Sequence, residues 1–115
     1  MSIPTEHAEQ VTFVTEFEKE FPGVRIFAIP NGGLRNKRVA IKLKAEGLRP
    51  GVPDLFVPEW NLWIEMKRTK GGRLSADQKD WIEYLTGRAG HSAIVGKGWE
   101  HAMQEVKAWI AQQPA

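Results

Sequence analysis

The sequence predicts an α/β domain, a mixed sheet of about four strands flanked by helices. Three observations predict it. Short β-rich runs alternate with segments whose apolar residues recur every three or four positions. Two of the β-rich runs are separated by only four residues, the length of a hairpin loop. A strand–helix–strand succession over 62–95 then has the spacing of a right-handed parallel crossover. With 115 residues in all, the chain has room for one domain, 1–115, in the order αβ(α)ββαβα.

Residues 5–21 read as a helix with Phe13, Val14, Phe17 and Phe21 on one stripe, stopped by Pro22-Gly23. Val24 to Ile29 is a β-rich run ended by the turn cluster Pro30-Asn31-Gly32-Gly33. Residues 36–46 read as a helix, apolar at Val39, Ala40 and Leu43, with Gly47 as its stop. Pro50-Gly51-Val52-Pro53 forces an irregular connection. Strands follow at 54–57 and 62–67, joined by the loop Pro58-Glu59-Trp60-Asn61. Gly71-Gly72 breaks the chain before a helix at 75–87, which opens with the capping-box pattern Ser75-x-x-Gln78. A short strand at 91–95 precedes a closing helix marked by Trp99, Met103, Val106 and Ile110.

Composition removes several function classes. Hydrophobic residues at 42% and charged residues at 26% are ordinary globular usage, which excludes a disordered chain. The absence of cysteine excludes thiolate chemistry and disulfides. Three scattered histidines (His7, His91, His101) do not make a histidine metal cluster. No apolar run reaches the ~20 residues of a membrane span, and the N-terminus does not read as a signal peptide. A cytoplasmic protein is expected. The net charge of +2 hides an asymmetry: 31–73 holds ten Lys/Arg and four acids, against six and ten elsewhere. A basic stretch between acidic flanks suits a polyanion, although a solvated lysine-rich loop and helix would look the same.

The chemistry lies in the hairpin. If 57 faces 62, then Asp54 faces Glu65 across the two strands, and Lys67 projects to the same face. Leu62, Ile64 and Met66 project to the other face, into a core. Facing carboxylates repel unless a cation lies between them. Two oxygen donors suit a hard divalent ion such as Mg²⁺, and an adjacent ammonium can orient or deprotonate an attacking water. Those parts fit phosphodiester hydrolysis. A structural ion pair on a solvated sheet face would use the same residues.

Pro53-Asp54 followed by Glu65-Met66-Lys67 resembles the PD-(D/E)XK nuclease motif. The wider text resembles the VRR-NUC family, in its minimal stand-alone phage and bacterial form. That text is Pro30-Asn31-Gly32-Gly33, Gly51-Val52-Pro53-Asp54-Leu55, Ile64-Glu65-Met66-Lys67, and Leu74-Ser75 with Gln78. The resemblance runs from about Glu6 to Ile110. It implies a restriction-endonuclease-like αβββαβ core and a Mg²⁺- or Mn²⁺-dependent endonuclease acting on branched DNA. By the same resemblance, a homodimeric Holliday-junction resolvase is expected, in a bacterial or phage-infected cell. Asp54 and Glu65 would be metal ligands, Lys67 the catalytic lysine, and the Met66 carbonyl a further ligand.

The family also brings a first-helix glutamate to the metal. Glu6 lies roughly 30° from the centre of the apolar stripe and Glu9 roughly 90°, so Glu6 is favoured and Glu9 is the alternative. Gln78 has two readings, a helix cap or a residue touching phosphate or water. For DNA contact the candidates are Asn31, Arg35, Arg38, Lys42 and Lys44, with Arg68, Lys70 and Arg73 after the catalytic strand. Arg35, Arg38 and Lys42 share one helical face, an arrangement that tracks phosphates. Two other functions stay open: a flap or nicking nuclease of the same fold, and a nucleic-acid-binding module without catalysis.

Overall fold

A computed structural model describes residues 2–30 and 36–114. Its elements are α1 (Glu6–Glu20), β1 (Phe27–Ala28), α2 (Lys37–Ala45), β2 (Leu55–Val57), a 3₁₀ turn (Pro58–Trp60), β3 (Leu62–Lys67), α3 (Ala76–Thr86), β4 (Ser92–Lys97) and α4 (Trp99–Gln112). The strands form one mixed sheet in the order β1-β2-β3-β4. Both β1–β2 and β2–β3 are antiparallel, and β3–β4 is parallel across α3. The fold class is the one the sequence predicts.

The register of the central hairpin follows the same arithmetic as the sequence reading. Leu55 pairs with Ile64, Phe56 with Trp63 and Val57 with Leu62. Asn61, in the left-handed region at φ 47°, closes the turn after the 3₁₀ segment. Leu62, Ile64 and Met66 are fully buried beside Phe13 and Phe17 of α1 and Ala102, Met103 and Val106 of α4. Alternation along β3 therefore sends one set of side chains into the core. It leaves Trp63, Glu65 and Lys67 for the opposite face.

Several bounds differ from the sequence reading. The strand expected over 24–29 is reduced to Phe27–Ala28, because only those residues pair with β2. Val24 and Ile26 pack against the core from an irregular segment instead. The last strand runs 92–97 rather than 91–95, since parallel pairing with β3 extends to Lys97. Asp54 lies in a bend just before β2, not within it. The helix read over 36–46 is present as α2; it buries no residue, and Ile41 is 61% exposed. Its amphipathic pattern has no partner surface among the described residues of this chain.

Candidate metal centre

The site forms where the hairpin meets the N-terminus of α1. Gly51 (φ +87°) sits so close to α3 that a Cβ there would lie 2.5 Å from the Asp77 carbonyl carbon. Only glycine lets the 48–54 connection pass at that distance. Two further bonds fix the position of Asp54. Its carbonyl accepts from Ile29 N–H at 2.8 Å, and its Oδ2 accepts from Met66 N–H at 2.8 Å.

Glu6, Asp54 and Glu65 each bring a carboxylate oxygen within 4.8 Å of the others. Thr5 caps α1 through its side chain, so Glu6 is the first residue of the helix. Glu65 is fully buried, and as a carboxylate its Oε1 has no hydrogen-bond partner. Its Oε2 receives Gln78 Nε2 at 3.2 Å and lies 3.8 Å from Lys67 Nζ. Burial, and then the charge of Asp54, push Glu65 up to about 9; as the protonated acid it can donate to Asp54. Lys67 opposes that shift and Glu6 adds to it. The Glu6 carboxyl is also raised, chiefly by burial, with Lys67 working against the rise.

Three carboxylates around one buried, unpartnered oxygen suit a divalent cation. Oxygen donors are the right chemistry for Mg²⁺ or Mn²⁺, and a 2+ charge would relieve both the repulsion and the desolvation. The residues present therefore fit such an ion.

Without metal, the raised pKa of Glu65 carries a cost with a definite sign. A carboxyl near 4.5 when unfolded and near 9 when folded contributes stability below about pH 4.5, which is lost as pH rises toward 9. Thermal melts in EDTA are expected to fall from pH 5 to pH 9 more steeply for the wild type than for Glu65→Gln. The two should nearly coincide at pH 5, and the variant should be the more stable by roughly 1–3 kcal/mol at pH 9.

The structure separates the two helix-1 candidates. Glu6 joins Asp54 and Glu65, whereas Glu9 points to α4. Glu9 is 4% exposed, and its Oε1 accepts from Trp99 N–H at 3.1 Å. The α4 N-cap is Gly98, which has no side chain to cap with, so Glu9 supplies an acceptor and a favourable charge at that helix end. Sequence reasoning missed this role; the glycine before Trp99 was its only signal.

The two readings of Gln78 are compatible. Its Oε1 accepts from Ser75 N–H at 2.8 Å while its N–H donates to Glu65, so one amide caps α3 and holds the buried carboxylate. The Met66 contact with the cluster is its N–H on Asp54. Among the DNA-contact candidates, Asn31 and Arg35 lie outside the described residues. Arg38, Lys42 and Lys44 are exposed on α2, and Arg68, Lys70 and Arg73 are exposed between β3 and α3.

A family model for the VRR-NUC domain matches residues 5–99. A solved structure described as a VRR_NUC domain protein is similar over 96% of this chain and 92% of its own, with a TM-score of 0.78 at 24% identity. At that identity the likeness is one of fold. No curated protein matches the sequence. No helix among the described residues is long and apolar enough to cross a membrane.

Proposed function

The chain belongs to the VRR-NUC family, and from that premise we propose that it is a divalent-metal-dependent endodeoxyribonuclease for branched DNA, acting as a homodimeric Holliday-junction resolvase. The observation that carries the nuclease reading is the convergence of Glu6, Asp54 and Glu65 around a buried, unpartnered oxygen, with Lys67 beside it. The preference for junctions and the dimer are inferred from the family resemblance. Two copies would supply the two active sites that paired incisions need.

Glu6, Asp54 and Glu65 would hold Mg²⁺ or Mn²⁺, with the Met66 carbonyl as a further ligand. Such an ion supplies charge neutralisation at the scissile phosphate and a more acidic water. Lys67, largely buried, would orient an attacking water and, after giving up its own proton, accept one from it. Gln78 fixes the rotamer of Glu65 through the 3.2 Å bond, acting as a positioning residue. Exposed cations on α2 and after β3 hold the strand by its phosphates, which predicts recognition by shape and a steep dependence on salt.

The double role of Gln78 can be divided by mutation. Gln78→Glu retains a capping acceptor for Ser75 N–H but replaces the donor on Glu65 with a carboxylate. It is expected to keep its helix content and lose roughly 10²-fold or more in cleavage rate. Ser75→Ala loses the hydroxyl cap, about 1 kcal/mol of stability, and little activity. Circular dichroism melts and single-turnover cleavage of the two variants check this.

The function itself is tested by cleaving matched four-way junction, flap, nicked, duplex and single-stranded DNA with Mg²⁺, Mn²⁺ or EDTA. Symmetric paired cuts in the junction, abolished by EDTA, are the expected result. Cleavage confined to flaps or single nicks would replace the resolvase by a flap or nicking nuclease of the same fold. Binding with no metal-dependent cleavage would leave a nucleic-acid-binding module.

A further inference from the structure

The parallel register sets Lys97 of β4 directly beside Lys67 of β3. Registered neighbours in a sheet project to the same side, and like charges so placed repel unless an anion lies between them. A cavity of about 430 Å³ opens at this point. It is lined by Lys67, Gly72, Arg73, Leu74, Lys79, Val95 and Lys97: four cations and no acid. Among the described residues only Lys67 of these four has an ion pair, and its partner is Glu65 at 3.8 Å. Arg73, Lys79 and Lys97 are exposed at the rim, each from a different segment: the 68–75 connection, α3 and β4. Gly72 lets the chain pass close to Lys67, since a Cβ there would lie 3.1 Å from the Lys67 Cβ.

We propose that this cavity is a subsite for a second phosphate of the bound nucleic-acid strand, adjacent to the one cut, with Lys79 and Lys97 as anchors. Neither lysine stands out in the sequence, since they lie on separate elements 18 positions apart. The subsite rests on the nuclease reading for its strand. Its role is to fix where the backbone enters relative to Lys67, so that the scissile phosphate is delivered to the carboxylates and not to the neighbouring cations. Three cations from three elements match one phosphate's several oxygens, whereas a neutral or cationic ligand would leave the repulsion unrelieved.

Binding, not cleavage, is the test, so its outcome is independent of catalysis. Fluorescence anisotropy in EDTA would follow a labelled junction across a salt series. The proteins are wild type, Lys79→Gln/Lys97→Gln, and Lys107→Gln as control, since Lys107 is paired with Glu20 on the far side. The double variant is expected to lose roughly tenfold in affinity near 0.1 M salt, with the log–log salt slope shallower by about 1.8. The control should match the wild type. A strand carrying one neutral methylphosphonate, moved along the sequence, should weaken wild-type binding at a position where the double variant shows no further loss. If the double variant keeps wild-type affinity and slope, or every methylphosphonate penalty persists in it, the subsite is wrong. Oligonucleotides with and without a 5′-phosphate decide the source of the phosphate. Equal binding assigns an internal phosphate, and a dependence on the terminal group overturns the proposed position beside the cut.

Discussion

Asp54→Asn is expected to bind branched DNA at least as tightly as the wild type while cleaving it at least ~10³-fold more slowly. The substitution is nearly isosteric, and an amide oxygen can still accept from Met66 N–H, so the hairpin and its register should survive. What disappears is the acid of one of three carboxyl groups that converge within 4.8 Å. With fewer negative charges near the strand, affinity should hold or rise slightly. Single-turnover cleavage beside anisotropy in Ca²⁺ or EDTA separates the two effects. Parallel losses of binding and cleavage would mean that Asp54 supports structure and not chemistry.

Lys67→Met is the second large effect. Methionine replaces the buried aliphatic stem with a similar volume, so packing changes little while the ammonium is lost. Cleavage is expected to fall by roughly 10²–10⁴-fold, the range for a group that moves a proton in the transition state. Lys67→Arg should not restore it, because a guanidinium is not a proton acceptor near neutral pH and its fork does not match a single point contact. Lys67 also works against the upward shift of Glu65. Without it, Glu65 holds its proton more tightly, and metal binding should require higher pH. Cleavage and Mn²⁺ titrations of the same variant over pH 6–9 read both effects.

Much of this site is legible in the sequence because a hairpin is a local object. Four loop residues fix the register, the register fixes the partners, and alternation assigns the faces; hence Asp54, Glu65 and Lys67 could be grouped before any coordinates. Glu6 was within reach through the phase of α1. Glu9 was not, since its partner is a backbone N–H 90 positions away, and helix–helix docking leaves no local signature. Lys97 escaped for the same reason: parallel register depends on how α3 packs, not on loop length. The exposure of α2 was not legible, because amphipathic spacing states what a helix could cover and not whether anything lies opposite. The short β1 reflects a similar limit. β-rich residues form a strand only where a neighbour offers its edge, and β2 offers three residues.

The proposed nuclease requires Glu6, Asp54 and Glu65 to form one cation site, and calorimetric titration of the metal-free protein with Mn²⁺ tests that most directly. Runs at pH 7 in two buffers of different ionisation enthalpy would count protons as well as sites. Because Glu65 is held protonated to about 9, one saturable site should release close to one proton, bind more tightly as pH rises, and vanish in Asp54→Asn. Binding that persists unchanged in Asp54→Asn, or no saturable binding at any pH, would contradict the account.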